Sequence, residues 1–134
     1  MIRFKNCFKF MEVKTKKVLI IDDDSRNIFA LTAVLKAKKY NCLSALSAQQ
    51  GFKILADDYE IGVVLMDMMM PDMDGYEAMR QMKDHSVMKA IPVIAVTAQA
   101  MVGDRERCLQ AGAVGYISKP VNVDELIHQL NLYI

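Results

Sequence analysis

The sequence predicts an α/β protein: a doubly wound, parallel, five-stranded sheet with helices on both faces, in a single domain. Three observations carry this expectation. Five short apolar runs alternate with segments whose apolar residues recur at helical spacing. One run, Ile61 to Met66, is almost unbrokenly apolar, as expected of a strand buried on both faces. The connections are short, so the alternation implies parallel strands joined by right-handed crossovers. A chain of 134 residues has room for one core.

Taken in order, Val18-Leu19-Ile20-Ile21 is a buried strand that breaks abruptly into Asp22-Asp23-Asp24. Asp24 or Ser25 can cap the next helix, in which Ile28, Leu31 and Leu35 share a face and a lysine-rich end suits the helix dipole. Tyr40 to Ala45 is a weaker strand. Ser47-Ala48-Gln49-Gln50 matches a capping box and opens a helix with Ala48, Phe52 and Leu55 on one face, closed by Asp57-Asp58. The third strand ends on Asp67. Met68, Met69, Met70 and Pro71 follow, then an acidic turn, Asp72-Met73-Asp74-Gly75, and a helix from about Asp74 through Met79 and Met82.

His85 to Ala90 is polar and reads as a loop. Ile91 to Val96 is the fourth strand, with Pro92 near its start, where a missing N–H is tolerated, and Thr97 at its end. Gln99 to Gly103 is irregular, and Asp104 to Ala111 is helical up to Gly112. Gly115-Tyr116-Ile117-Ser118 is a short fifth strand ending on Lys119-Pro120. Asn122 caps a last helix that turns Val123, Leu126, Ile127, Leu130 and Ile134 inward.

The composition, 53% hydrophobic and 25% charged, is that of an ordinary globular domain. A net charge of +1 conceals an asymmetry, because residues 1–17 carry +5 and the other 117 carry −4. An acidic body gives no support to a nucleic-acid-binding face. Residues 1–16 are expected to be a mobile extension of a domain spanning 17–134, and Met11 offers a second start. No apolar stretch reaches bilayer-spanning length, and the Lys/Phe-interleaved start is not a secretory signal. Cys7, Cys42 and Cys108 form no metal-ligand or disulfide pattern, which points to reduced thiols and a cytoplasmic protein.

Four of the five strands end on groups that recruit metal or phosphate: Asp22 and Asp23, Asp67, Thr97, and Lys119. Open α/β sheets bind their ligands beyond the carboxyl ends of the strands. Each of these residues alone has a bland explanation, as a helix start, a cap or a surface lysine. Their repetition at one end of buried strands does not. Carboxylates crowded at one edge repel one another, and a hard cation such as Mg²⁺ relieves that repulsion. A lysine and a hydroxyl opposite them call for an anion, which a phosphoryl group supplies. A carboxylate so placed can act as nucleophile and form an acyl phosphate.

Here the sequence resembles the receiver domains of two-component response regulators. The resemblance lies in Val18-Leu-Ile-Ile-Asp22-Asp23-Asp24, Val64-Leu-Met-Asp67 with Pro71 and Gly75, Pro92-Val-Ile-Ala-Val-Thr97-Ala98, and Gly115-Tyr116-Ile-Ser-Lys119-Pro120. It runs from about Lys17 to the end and implies a flavodoxin-like fold with strand order 2-1-3-4-5. It also implies that Asp67 is the phospho-acceptor, and that Asp22, Asp23, Asp67 and the Met69 backbone carbonyl hold Mg²⁺. Thr97 and Ala98 would contact the phosphoryl oxygens, and Lys119 would pair with them. Thr97 and Tyr116 would form the conformational switch, and the bond before Pro120 would be cis. Met69 and Gln99 occupy positions that tune the phosphoryl lifetime, and neither is a carboxylate able to orient water, so self-dephosphorylation is expected to be slow to moderate.

The implied function is a switch rather than a turnover enzyme. A histidine kinase or histidine phosphotransfer protein donates to Asp67, and the helix 4–strand 5–helix 5 face, residues 104–134, responds. The output partner is not implied, and a homodimer formed on phosphorylation is left open. Ser25-Arg-Asn-Ile-Phe-Ala-Leu and the run from Ala98 to Leu109 resemble receivers attached to hybrid sensor kinases. Two alternatives are weaker. A phosphorylation-independent interaction module has no need of every chemical position being filled. A cofactor binder would want glycine rather than aspartate in the first turn, and a haloacid-dehalogenase phosphatase would want an Asp where Met69 stands. His85 and His128 are expected to be exposed and unsupported, so neither is a phosphoryl donor.

Overall fold

The most apolar stretch of the chain, Ile61–Asp67, forms strand β3 at the centre of the sheet, and all seven of its residues are buried. The computed structural model describes residues 16–98 and 101–134. Expectations for residues 1–15, Cys7 among them, and for Gln99 therefore lie outside the described residues. In chain order the elements are β1 (Lys17–Ile21), α1 (Ser25–Ala37), β2 (Asn41–Ala45), α2 (Ala48–Asp57), β3, α3 (Gly75–Lys83), β4 (Val93–Thr97), α4 (Asp104–Gln110), β5 (Gly115–Ser118) and α5 (Val123–Asn131). The strand order is β2-β1-β3-β4-β5, with every neighbouring pair parallel. That is the expected flavodoxin-like arrangement.

Side chains alternate across each strand, so the sheet divides the core in two. Leu19, Ile21, Val64, Met66, Val93 and Ala95 face one side, against Leu55 of α2, Met79 and Met82 of α3, and Cys108 of α4. Val18, Ile20, Val63, Leu65, Ile94 and Ile117 face the other, against Leu35 of α1 and Leu126 and Leu130 of α5. Among the described residues, no helix is long and apolar enough to cross a membrane.

The helix starts are set by side-chain caps. Asp24 accepts from the Arg26 N–H, Ser47 from Gln50, Asp74 from Glu77 and Asn122 from Glu125, each satisfying a donor that the first turn leaves open. Gln50 reaches back to accept from the Leu46 N–H at 3.0 Å, one residue before the Ser47 cap whose own N–H a capping box would use.

Four local readings are corrected. β4 begins at Val93 rather than Ile91, since Pro92 has no N–H to give the ladder. The 85–90 segment is not a plain loop, because Met88–Ala90 makes a 3₁₀ turn that buries Met88. His85 is exposed as expected but is not unsupported: its Nδ1 accepts from the N–H groups of Val87 (3.1 Å) and Met88 (3.2 Å) and so builds that turn. Finally, α5 stops at Asn131, and Ile134 packs on the core from the tail beyond it.

Candidate functional site

The geometry of the sheet edge follows from register. Ile21 pairs with Met66, so Asp22 and Asp67 are neighbours one step further along. Asp67 in turn pairs with Val96, which places Thr97 at the next step, and Thr97 pairs with Ser118, which places Lys119 beyond it. Four residues far apart in sequence are thus delivered to one edge by the ladder alone.

Asp22, Asp23 and Asp67 each offer a carboxylate oxygen within 4.8 Å of the others. Asp22 and Asp67 are buried, whereas Asp23 is exposed. Asp22 Oδ1 accepts from the Asp24 N–H at 2.8 Å, and its Oδ2 accepts from Lys119 Nζ at 3.2 Å. Asp67 Oδ1 accepts from the Met69 N–H at 3.1 Å and lies 3.7 Å from Lys119 Nζ. The Lys119 backbone N–H donates to the Thr97 carbonyl at 2.7 Å, which anchors the lysine beside β4. Thr97 itself is only 1% exposed. The Lys119–Pro120 peptide bond is cis.

Burial pushes the Asp67 carboxyl up to about 6, and the charge of Asp22 adds to the rise. The Met69 N–H and the Lys119 ammonium oppose it without cancelling it. Asp67 is therefore mostly ionised at neutral pH yet poorly stabilised as an anion. An oxygen-rich, repulsive cluster of this kind suits a small hard cation, and the donor set is the one Mg²⁺ takes.

The loop after Asp67 is held closely. Met68 and Met70 are buried in the core, while the Met69 side chain between them is 51% exposed. The Gly75 N–H donates to the Met68 carbonyl at 3.2 Å. A Cβ at Gly75 would lie 2.8 Å from Met68 Cα and would also strike the Met68 sulfur, so only glycine fits there. Asp72, at φ +64°, makes the tight turn between them.

Tyr116 on β5 is half-buried and donates from its hydroxyl to Asp104 Oδ2 at 2.9 Å. Burial and this carboxylate push its phenol up to about 12. Gln129 of α5 donates from Nε2 to the Tyr116 carbonyl at 3.1 Å. Sequence reasoning read Asp104 merely as a helix start and passed over Tyr76, whose hydroxyl also reaches Asp104. Neither signal is periodic, so only the folded chain reveals the pairing. Among the described residues the two thiols are held protonated by their surroundings: burial pushes Cys42 up to about 11 and raises Cys108 as well.

A family model described as "Response regulator receiver domain" matches residues 18–131. The polar-differentiation response regulator DivK of Brucella ovis is 36% identical over 120 residues, which covers 90% of this chain and 97% of that protein. The solved receiver domain of a sensor histidine kinase from Pseudomonas aeruginosa, which holds a magnesium ion in its active-site cleft, is 32% identical. It superposes with a TM-score of 0.78 over 88% of this chain and 96% of its own. A CheY-like receiver domain from Methanospirillum hungatei is 28% identical with a TM-score of 0.77, covering 87% and 91% of the two chains. With its acidic edge, its strand order and these likenesses in agreement, the chain belongs to the response regulator receiver domain family, the phospho-accepting switches of two-component signalling.

Proposed function

We propose that Asp67 is the residue that takes the phosphoryl group, from a phosphohistidine on a histidine kinase or histidine phosphotransfer protein. The observation that carries this is the meeting of three carboxylates and the Lys119 ammonium at one sheet edge. The Met69 N–H holds Asp67 Oδ1, so Oδ2 is the oxygen presented for attack on phosphorus. The P–N bond of the donor breaks, its imidazole departs and is reprotonated, and an acyl phosphate remains on Asp67.

Lys119 pairs with the transferring oxygens, and the Thr97 hydroxyl and Ala98 N–H complete their coordination. Asp22, Asp23, Asp67 and the Met69 carbonyl would hold Mg²⁺, which neutralises charge on the phosphoryl oxygens. The Met69 side chain has no polar group with which to orient a water, so the acyl phosphate is long-lived on the scale of seconds. Thr97 and Tyr116 relay the change to the face built by α4, β5 and α5.

The donor protein docks beside α1. A cavity of about 240 Å³ there is lined by Ala30, Leu31, Val34, Pro120, Val121 and Leu126, and Lys119 borders it. An apolar seat that opens onto the phosphoryl-pairing lysine suits a partner that must bring a phosphohistidine to Asp67. The relative from Pseudomonas aeruginosa is itself part of a sensor kinase, which supports a kinase-linked role.

The test is mass spectrometry after incubation with a small-molecule phosphodonor and Mg²⁺. A gain of one phosphoryl group is expected. No gain, or a gain that survives Asp67→Asn or omission of Mg²⁺, refutes the assignment.

A further inference from the structure

Away from the carboxylate edge, a second polar cluster joins three elements. Asp104, the first residue of α4, accepts the Tyr76 hydroxyl of α3 on Oδ1 at 3.1 Å and the Tyr116 hydroxyl of β5 on Oδ2 at 2.9 Å. Each phenol has one hydrogen to give, and an ionised carboxylate has an oxygen for each. Tyr76 is enclosed further. Its hydroxyl lies 3.5 Å from the buried Cys108 sulfur, and the Arg107 guanidinium sits 4.7 Å over its ring.

Tyr76 is also one residue from the acceptor loop. Met68 follows Asp67 directly, its carbonyl accepts from the Gly75 N–H at 3.2 Å, and the two backbones touch too closely for any Cβ at Gly75. Met68 cannot shift without moving Gly75, and Tyr76 is the next residue. A shared carboxylate cannot follow one phenol without straining its bond to the other, so the positions of the two rings are linked.

We propose that Asp104 is a positioning residue that couples Tyr76 to Tyr116. Phosphorylation then reaches the α4–β5 face by two routes, one through Thr97 and one through Gly75, Tyr76 and Asp104. The proposal rests on the reading of Asp67 as phospho-acceptor. It widens the responding region from residues 104–134 to include the start of α3.

The experiment uses the full chain with ring-labelled tyrosine. The five tyrosine signals are assigned by single Tyr→Phe substitutions and followed by NMR, with mass spectrometry in parallel, as a small-molecule phosphodonor and Mg²⁺ are added. In the wild type, Tyr76 and Tyr116 are expected to shift together in proportion to the phosphoryl gain. In Asp104→Asn, where an NH₂ replaces one of the two oxygens that accept the phenols, the Tyr116 response should fall about twofold or more, to the part carried through Thr97, while the phosphoryl gain and the Tyr76 response persist. Tyr76→Phe removes a single hydroxyl, leaves packing intact, and should lower the Tyr116 response in the same way.

A Tyr76 signal that stays still while phosphoryl is gained overturns the coupling alone. So does a Tyr116 response that is unchanged in both variants. Absence of any phosphoryl gain overturns the acceptor assignment and the coupling with it.

Discussion

Replacing Asp67 by asparagine should stabilise the fold at neutral pH. The side chain is 5% exposed, and its carboxyl is carried from the ordinary 3.8 to about 6. The folded protein thus holds this proton more tightly than the unfolded chain does. Between these two values the native state binds the extra proton, and the stability contributed by this group falls as pH rises through the window. A rise of that size corresponds to about 3 kcal/mol against the folded state at pH 7.5, and solvent entry and relaxation leave about 1–2 kcal/mol.

Asparagine keeps the shape and the acceptor for the Met69 N–H but removes the charge, and Lys119 retains Asp22 as a partner at 3.2 Å. Thermal unfolding without divalent cations should therefore place Asp67→Asn about 3–10 °C above the wild type at pH 7.5. The gap should close at pH 4, because the wild-type carboxyl is then mostly protonated. Millimolar Mg²⁺ should raise the wild-type midpoint more than that of the variant. Carboxylates away from this edge, such as Asp58 beside Lys17, titrate alike in both proteins and cancel in the comparison. A variant less stable than the wild type at pH 7.5, or a gap independent of pH, would refute the reasoning.

Other consequences are equally direct. Gly75→Ala should cost about 1–3 kcal/mol by denaturant titration, because the new methyl meets Met68 backbone, and should weaken Mg²⁺ binding through the same loop. An unchanged stability would mean that the loop tolerates displacement. Ser47→Ala removes the acceptor for the Gln50 N–H and should cost about 1 kcal/mol, with no effect on phosphoryl gain. The acyl phosphate on the isolated protein should outlast seconds in a decay assay, and loss within seconds would contradict the tuning role given to Met69. His85→Ala should speed amide exchange at Val87 and Met88, whose N–H groups lose their acceptor, and equal rates would remove the histidine from the turn.

Much of this architecture was legible because the relevant signals are local and repetitive. The run from Ile61 to Met66 announced a doubly covered strand, and the cap residues Ser47 and Asn122 marked helix starts. The polar residues at strand ends were equally visible, since an apolar run that stops on a carboxylate needs no distant information. Which strand lies beside which was not: periodicity is blind to neighbours, and the order came from resemblance to a family. Strand-end chemistry became a site only once β1 and β3 were adjacent, with Ile21 opposite Met66.

The tyrosine–aspartate cluster escaped sequence reasoning because its members are distant in the chain. Tyr76 and Asp104 are 28 residues apart, and Asp104 and Tyr116 are 12 apart, so their meeting depends on how three elements pack. The role of His85 escaped for a different reason. A side chain that accepts from the backbone two and three residues on is local, but any polar residue in a turn might be read that way.

Gln129 bears on how two copies of this domain could meet. β5 is an outermost strand of only four residues, and the open side of such a strand is where a second chain adds on to continue a sheet. Here the Tyr116 carbonyl already has a donor, the Gln129 amide of α5. The strand is thereby blunted as a template for fibrils or for sheet extension across a dimer. A second copy that extended the sheet along β5 would first have to displace that amide, and so pull α5 away from the strand it packs on.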